Sequence, residues 1–450
     1  MKTSFRGVFL PATNLASPGI EEAPPPQKVI LPMGSDASSL CEPVVAVGDQ
    51  VAVGQLVGRS TAFTVAPVHA SISGKVTAIR PWPNEKGDEI LSVIIESDGK
   101  DGWQEKRPYP ELSQETDRSA ILDAIKEMGV MDSGPPAVAL HTKFAAPSPT
   151  KEYTFLVGIP PAKEVDTLIV NAIDAEPGMA LRRAVLNLRS NELLAGLQLL
   201  KKVVGDARII LAITGNGPLE PTLATRLTEL GVELFHGKDK YPLGLPPILI
   251  KQLTGREIPL PDGEERDVGA AVVNAVTLVN LAEAAKGKPP IKKMVSISGG
   301  GLSHITNVSV RVGTPIKELL DYLPGITAEP AKVIAGGAMT GFALSSLDIP
   351  LTKEIDTLIL QTAGEVSRFS TDSCINCGVC HRYCPVRLLP NELARYCEYG
   401  MFDDAAEKYL FHCIECAICA YVCPAKRPLL QLLRLGKREL ALREGGQANG

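Results

Sequence analysis

The chain lacks long apolar runs, and it lacks a large excess of charge of either sign. No stretch reaches the roughly 18 uninterrupted apolar residues that a membrane-spanning helix needs, and no long apolar core follows residues 1–6. The sequence therefore predicts neither a membrane span nor a secretory signal. Lys and Arg number 46 against 51 Asp and Glu, a net charge of -5, so nothing indicates a nucleic-acid partner. These absences favour a soluble or peripheral protein.

Cysteines are few outside two short segments. The chain has 10 cysteines, and only Cys41 and Cys397 lie outside residues 374–384 and 413–423. Two cysteines so far apart in the sequence indicate no disulfide framework. A reducing cytoplasm is therefore the expected compartment.

The two cysteine-rich segments share one spacing. Each has three cysteines separated by two residues, then three further residues and a fourth cysteine that is followed by proline. Three cysteines at this spacing wrap a loop around one face of a [4Fe–4S] cluster, and a fourth closes the cage. In such a run the fourth cysteine normally binds the other cluster.

The spacing therefore predicts two [4Fe–4S] clusters with exchanged fourth ligands. Cluster one is assigned to Cys374, Cys377, Cys380 and Cys423, and cluster two to Cys413, Cys416, Cys419 and Cys384. A structural zinc site is the alternative, but zinc does not call for two identical four-cysteine runs that each end in Cys-Pro. Cys397 is expected to be a small buried residue on a helix, because both clusters already have four ligands.

At 450 residues the chain is too long for a single hydrophobic core, so several domains are expected. The first domain is predicted over residues 1–98. A proline-rich, irregular arm leads into short strands joined by glycine turns, which indicate a small barrel or sandwich. The phrases VGDQVAVGQLVG and APVHASISGKV resemble the barrel-sandwich hybrid of biotinyl and lipoyl carriers. The tetrapeptide around the carriers' acceptor lysine is absent, and Lys75 follows a glycine instead. A structural role is therefore expected for this domain.

A second domain is expected over residues 112–290, where strands and helices alternate. The predicted strands are 167–170, 208–213 and 232–235, and the predicted helices are 179–204, 223–230, 245–254 and 268–285. This alternation predicts a parallel sheet with right-handed crossovers, which binds ligands at the carboxyl ends of its strands.

Polar residues follow the first of these strands. Asn171, Asp174 and Glu176 place two carboxylates and an amide where a ribityl or ribose hydroxyl could be held. The alternative is a helix N-cap with acidic first-turn residues, which Pro177 supports equally. The sequence leaves both interpretations open.

Two further modules complete the chain. Residues 291–350 show two alternating strands, a helix and a third strand, which indicate a small α+β module. Residues 365–442 hold both cysteine segments, with two short helices between them and Asp403 as a candidate N-cap. The amphipathic tail, residues 429–442, is expected to pack on its own domain. Contact with the membrane or its partners through Arg434, Lys437 and Arg438 is the alternative.

The order of these parts resembles RnfC, the soluble subunit of the Rnf ion-translocating ferredoxin:NAD oxidoreductase, over nearly the whole chain. The phrases FRGVFLP, DTLIVNAIDAEP, QLTGREIP, AKVIAGGAMTGFAL and both cysteine runs carry the resemblance. RnfC is itself similar to the flavin-bearing, NADH-oxidising subunit of respiratory complex I. The resemblance implies a multidomain α/β and α+β fold: a barrel-sandwich hybrid, a Rossmann-like parallel-sheet domain, a β-grasp module of the SLBB type and a helical two-cluster ferredoxin domain.

The resemblance also implies a flavin site in the second domain, with Asn171, Asp174, Glu176, Asn274 and Thr277 as the candidate FMN residues. The family's flavin and nicotinamide loop reads GxVGxGGAxFPTHxK and corresponds to residues 129–143, in which Pro135 and Pro136 replace its Gly-Ala pair. Proline has no N–H to offer a phosphate. We therefore expect FMN and NADH to bind weakly or not at all.

The function implied is that of an electron-transfer subunit in a membrane-associated Rnf-type complex, peripheral on the cytoplasmic face of the cell membrane. The implied partners are the integral-membrane and iron–sulfur subunits of that complex, together with a soluble ferredoxin, a cytochrome or NAD(H). The cluster module is expected to face the membrane subunits. The alternative is an NADH:flavin dehydrogenase module with FMN retained in the central domain. A purely structural scaffold is hard to reconcile with eight intact cluster ligands.

Overall fold

The computed structural model describes most of the chain. The described residues are 5–10, 19–35, 40–104, 111–112, 116–134, 137–144, 164–174, 176–215, 219–261 and 263–447, with side chains to residue 443. Pro135 and Pro136 lie outside them. Across these ranges, no helix combines the length and the apolar character that a bilayer crossing requires.

The first domain consists of two antiparallel sheets. A short strand of the arm, β1 (Ile20–Glu22), precedes it, and its own strands are β2 (Lys28–Pro32), β3 (Glu42–Pro43), β4 (Gln50–Val51), β5 (Leu56–Arg59), β6 (Val68–His69), β7 (Gly74–Pro83) and β8 (Glu89–Ser97). The sheets have the orders β2-β8-β7-β4 and β3-β5-β6. Val93 and Ile95 alternate along β8, so one face of the larger sheet is buried in the domain core. Lys75 lies exposed within β7 and not in a hairpin turn.

The second domain is built on a parallel sheet. A hairpin of β9 (Met131–Asp132) and β10 (Val138–Ala139) precedes the sheet strands β11 (Thr167–Asn171), β12 (Arg208–Thr214), β13 (Val232–Gly237) and β14 (Ala270–Asn274). The order is β13-β12-β11-β14, and every pairing is parallel. The helices are α1 (Arg118–Glu127), α2 (Leu181–Leu188), α3 (Ser190–Val204), α4 (Pro221–Glu229), α5 (Pro246–Thr254) and α6 (Ala275–Ala284).

Two helix predictions in this domain were wrong in part. Residues 270–274, predicted as helical, form β14, which pairs with β11 inside the sheet. The predicted helix 179–204 is divided at Arg189, whose φ of -127° and ψ of 31° are not helical. The three predicted strands are present in the expected order, and β14 adds a fourth strand whose carboxyl end leads directly into α6.

The third module is a six-stranded mixed sheet with one helix, α7 (Ile316–Tyr322). Its strands are β1, β15 (Lys292–Ser298), β16 (Thr306–Arg311), β17 (Lys332–Ala335), β18 (Phe342–Ala343) and β19 (Thr357–Gln361), in the order β1-β16-β15-β19-β17-β18. The predicted strands and helix are present. The sheet also takes β1 from the arm, which was expected to be irregular, and it takes β19 from beyond residue 350.

The last module is helical. Its helices are α8 (Val379–Tyr383), α9 (Pro390–Glu398), α10 (Phe402–Glu407), α11 (Ile418–Tyr421) and α12 (Leu429–Gln447). Asp403 lies in the first turn of α10, where its charge suits the helix dipole, and the N-cap is Met401. Leu429, Leu433 and Leu440 of α12 are buried against α9 and α10. The tail therefore packs on its own domain.

Candidate functional site

The two cysteine loops have left-handed residues at two matching positions. In the first loop, Asn376 and Gly378 have φ values of 52° and 70°. In the second, Glu415 and Ala417 occupy the equivalent positions with φ values of 53° and 58°. Left-handed residues between right-handed ones turn successive N–H groups toward one side of the loop, which is the geometry of an anion-binding concavity and of many iron–sulfur sites.

Backbone amides in both loops donate to cysteine sulfurs. The N–H groups of Asn376 and Glu415 each lie 3.4 Å from the Sγ of the first cysteine of their loop. The N–H of Leu388 lies 3.3 Å from the Sγ of Cys384. Such bonds favour the thiolate over the thiol, and a cluster binds the thiolate. The donor set therefore fits two iron–sulfur clusters.

The charge of the fourth cysteine of the first run acts on three cysteines of the second run. Burial raises the pKa of Cys413 to about 11 and that of Cys416 to about 12, and the charge on Cys384 adds to both increases. Burial also raises the pKa of Cys419, again with a contribution from Cys384. The four cysteines assigned to cluster two therefore interact electrostatically with one another. In the first loop, burial raises the pKa of Cys380, and the charges on Cys374 and Cys377 add to that increase.

The two loops differ in exposure. Cys374 and Cys377 are exposed, whereas Cys416 and Cys419 are buried. Among the described residues, no group of three or more His, Cys, Asp or Glu side chains is placed to hold a single metal ion. A cubane binds its four thiolates at four corners, so its ligands do not converge on one point as zinc ligands do. Cys397 is buried on α9 against α12, as expected of a packing residue.

The second loop is fixed to the central domain. The hydroxyl of Tyr241 donates a 2.8 Å hydrogen bond to the carbonyl oxygen of Cys416. An apolar cluster that includes Val8 of the arm and Ile418 of the loop surrounds this contact. On the other side, Arg434 and Lys437 of α12 bind the carboxylate of Glu415 at 2.8 and 2.9 Å. The basic side chains of the tail are therefore used within the chain.

The polar residues after β11 are engaged by the protein itself. The Asn171 side chain donates to the carbonyl of Gly244 at 2.8 Å and accepts from the N–H of Ile173. Asp174 accepts from the N–H groups of Arg182 and Arg183 at the start of α2, at 3.0 and 3.1 Å. Asp174 thus accepts hydrogen bonds from the first turn of α2, whose N-cap residue is Ala180 and whose first turn contains no acidic residue, so the predicted N-cap arrangement is found only in part. Pro177 precedes α2 by several residues and is not in its first turn.

Glu176 joins two modules. Its carboxylate accepts from the N–H of Met339 at 2.6 Å and from the hydroxyl of Thr340 at 2.7 Å, both in the glycine-rich loop between β17 and β18. A Cβ on Gly337 would overlap this carboxylate, so the glycine allows the close approach. Burial raises the pKa of Glu176, although the hydrogen bonds oppose that increase.

Asn274 and Thr277 gather around a residue that the sequence pattern did not single out, Asp132. One carboxylate oxygen of Asp132 accepts from the N–H of Asn274 at 2.9 Å and from the hydroxyl of Thr277 at 2.7 Å. The other oxygen lies 3.2 Å from Nζ of Lys143. Lys143 also binds Glu265 and the carbonyl of Val272. Burial opposes a charge on Lys143, but Glu265 and Asp132 outweigh it and raise the pKa of the lysine.

A cavity of about 820 Å³ adjoins this network. Lys143 and Glu265 line it on the central domain, Cys413 and Lys437 line it on the cluster module, and Lys353 lines it on the third module. Its size is typical of small-molecule sites. The candidate FMN residues do not fit the cofactor as they are placed, because each already has protein partners.

Three family models match the chain. Residues 4–100 match the RnfC barrel sandwich hybrid domain, residues 125–283 match the Nuo51 FMN-binding domain, and residues 367–424 match the 4Fe-4S dicluster domain. Together with the mixed α/β architecture, these matches define a multidomain iron–sulfur protein with a domain of the Nuo51 type.

The full-length relatives narrow this class. The chain is 36% identical to the C subunit of the proton-translocating ferredoxin:NAD(+) oxidoreductase complex of Clostridium ljungdahlii, covering 98% of this chain and 94% of that protein. It is 33% identical to the Na(+)-translocating counterpart of Acetobacterium woodii, covering 92% and 91%. It is 32% identical to the C subunit of the ion-translocating oxidoreductase complex of Pseudomonas aeruginosa, covering 96% of this chain and 55% of that longer protein. The chain belongs to the RnfC family.

Proposed function

We propose that the chain is the electron-transfer subunit of a membrane-associated Rnf-type ion-translocating oxidoreductase complex. The observation that carries this proposal is the repeated loop: two runs of four cysteines with left-handed residues at matching positions and backbone amides directed at sulfur. Cys374, Cys377, Cys380 and Cys423 would hold one [4Fe–4S] cluster, and Cys413, Cys416, Cys419 and Cys384 the other. The clusters, when bound, supply one-electron transfer.

The protein groups around the loops have separate roles. The amides of Asn376, Leu388 and Glu415 stabilise negative charge on the sulfurs, which is expected to raise the reduction potential. The apolar cluster around Tyr241 excludes water from the second loop. The first loop is open to solvent, and Ile375 within it is 65% exposed. We infer that the first loop faces a redox partner and the second faces the interior of the protein.

The domain assignments follow the same proposal. We assign residues 1–98 to the arm and barrel-sandwich hybrid, 112–290 to a Rossmann-like domain, 291–350 to a β-grasp module of the SLBB type and 365–442 to the ferredoxin-like domain. The sheet of the third module also uses residues 357–361, which favours extending that module to β19.

The proposed partners are the integral-membrane and iron–sulfur subunits of an Rnf-type complex, with a soluble ferredoxin, a cytochrome or NAD(H) as the external redox partner. We place the chain as a peripheral subunit on the cytoplasmic face. Two relatives are named for different translocated ions, H⁺ and Na⁺. We therefore propose that this protein carries electrons and that other subunits select the ion.

An NADH:flavin dehydrogenase module is the second candidate, and the cavity between Lys143 and Cys413 favours it. A flavin held there would lie beside the second cysteine loop. The engagement of Asp174, Glu176 and Asn274 by protein groups argues against it. We therefore expect weak or no binding of FMN and NADH.

One experiment separates the two candidates. The chain is purified without oxygen, its visible spectrum is followed during reduction by dithionite and by NADH, and the acid-extracted flavin is quantified. We expect the broad absorption of iron–sulfur clusters, reversible bleaching by dithionite, little extracted flavin and no rapid bleaching by NADH alone. Stoichiometric FMN together with rapid bleaching by NADH would favour the dehydrogenase. A protein without iron–sulfur absorption would contradict the electron-transfer proposal.

A further inference from the structure

The carboxylate of Asp132 lies where a domain of this type has donors for an anion. The family pattern GxVGxGGAxFPTHxK has glycine at the position of Asp132 and lysine at the position of Lys143. The structure places the Asp132 carboxylate between Nζ of Lys143, the N–H of Asn274 and the hydroxyl of Thr277, at 3.2, 2.9 and 2.7 Å. A lysine, a hydroxyl and a backbone amide converging on one point are the donors that proteins use for phosphate.

The secondary structure around Asp132 supports the same assignment. Asn274 ends the parallel strand β14 and is the N-cap of α6, so the first turn of a ten-residue helix begins at this point. Carboxyl ends of parallel strands and helix N-termini are where α/β domains bind anions. Asp132, Asn274 and Thr277 are each at most 5% exposed, so the negative charge here is held inside the protein.

A cavity and a buried hydroxyl group lie close to the Asp132 network. Lys143 and Glu265 border the 820 Å³ cavity, so the lysine is shared between the interior network and a space large enough for a mononucleotide. The hydroxyl of Ser133 is buried and has no hydrogen-bond partner among the described residues. Asp132 and Glu265 both form ion pairs with the ammonium group of Lys143, so the positive charge of this lysine is not fully available to a ligand.

We propose that Asp132 fills, with its own carboxylate, the phosphate-binding end of a mononucleotide site, and so excludes FMN from this domain. The proposal rests on the proposed function, in which the chain transfers electrons through its clusters without tightly bound flavin. The cause of the weak FMN binding would be the Asp132 carboxylate, which occupies the hydrogen-bond donors that a phosphate monoester would need. A second anion at the same place would be repelled, and Lys143, Asn274 and Thr277 would not be free to bind it.

The test uses the full-length protein with its clusters, purified without oxygen, and compares native protein with Asp132→Gly. The substitution removes the internal carboxylate and leaves Lys143, Asn274 and Thr277 in place. FMN binding is measured by quenching of flavin fluorescence, and riboflavin serves as the ligand that lacks phosphate. We expect the affinity for FMN to rise about tenfold or more, because charge-assisted hydrogen bonds to phosphate become available. We expect the affinity for riboflavin to stay unchanged.

Two controls make the result specific. Asp117→Gly removes another carboxylate from the N-terminus of a helix in the same domain, where the side chain of Asp117 accepts from the N–H of Ala120. It should leave FMN affinity at the native value. Adding Lys143→Met to Asp132→Gly should abolish the gain, because the phosphate then loses its cationic partner. Iron content is measured in every sample, so that a failure of the cluster proposal is seen separately from a failure of this one.

An Asp132→Gly protein that keeps its iron but binds FMN no more tightly than native protein overturns the proposal, as does an equal gain for riboflavin. If Asp132→Gly does not fold, Asp132→Ala provides the test, since it also removes the carboxylate and frees the donors that the carboxylate occupies. Millimolar inorganic phosphate should then raise the melting temperature of Asp132→Ala and leave that of native protein unchanged. Equal responses of the two proteins overturn the proposal.

Discussion

The hydroxyl of Tyr241 donates a 2.8 Å hydrogen bond to the carbonyl oxygen of Cys416 and thereby joins the central domain to the second cysteine loop. Burial raises the pKa of this tyrosine far above its ordinary value, so the hydroxyl remains a donor at any working pH. The bond fixes the loop on the side that borders the central domain. It therefore predicts that the stability of cluster two depends on a residue far from it in the sequence.

Replacing Tyr241 by phenylalanine should weaken that attachment. The ring packing is kept, but the buried carbonyl of Cys416 loses its donor, which typically costs about 1–3 kcal/mol. We expect faster loss of the cluster two signal on exposure to a chelator or to oxygen, measured by the decay of visible absorption. Tyr322→Phe is the matched control, because Tyr322 also donates to a backbone carbonyl but is exposed. Equal decay rates for both variants and native protein would contradict the prediction.

Leu433 and Leu435 are neighbours on α12 with opposite environments. Leu433 is 1% exposed within the core of the cluster module, and Leu435 is 42% exposed. Leu433→Ala should lower the free energy of unfolding of this module by about 2–5 kcal/mol and reduce its iron content, because it leaves a cavity. Leu435→Ala should change stability by less than about 0.5 kcal/mol.

Removal of residues 429–447 should destroy the visible absorption of the clusters, because the deletion removes buried residues of the module core. Cluster absorption that remained after this deletion would show that the helix is not part of the core.

Because His69 is buried, the stability of the first domain should depend on pH. Burial, together with the charges of Lys353 and Arg59, lowers the pKa of His69 to about 3. The unfolded chain titrates at about 6.5, so below that pH it binds a proton that the folded domain does not. Stability should therefore fall by about 1.4 kcal/mol per pH unit between about pH 6.5 and pH 3 from this residue alone.

Urea unfolding at pH 7.5 and pH 5.5 measures this loss. His69→Gln should reduce the difference between the two pH values, whereas His304→Gln, at an exposed position, should retain it. An equal loss in His69→Gln and native protein would mean that other groups cause the acid sensitivity.

The parts that the sequence predicts well are those with a local pattern. The cysteine runs, the strands β11, β12 and β13 and the packing of α12 all follow from spacing, length and periodicity. The sequence predicts one helix over residues 268–285 because Ala, Val and Leu dominate AAVVNAVTLVNLAEAA, and a buried strand and a buried helix look alike in such a run. The helix start at Ala275 is marked only by Asn274, which caps it.

Long-range partners were not predictable from local pattern. The pairing of β1 with β16 and the insertion of β19 between β15 and β17 depend on contacts between segments that are distant in the sequence. The same is true of Asp132, whose partners lie in the segment from Lys143 to Thr277. Its one sequence signal was an acidic residue at a position where the family pattern has glycine.

The most direct test of the central claim, two [4Fe–4S] clusters with exchanged fourth ligands, is the EPR spectrum of reduced Cys384→Ala. Reference spectra come from Cys377→Ala, which damages cluster one, and from Cys416→Ala, which damages cluster two. Cys397→Ala, a buried cysteine outside the ligand sets, is the control and should keep the native spectrum with about eight iron atoms per chain. We predict that the Cys384→Ala spectrum matches that of Cys416→Ala, and a match to Cys377→Ala would contradict the exchange of fourth ligands.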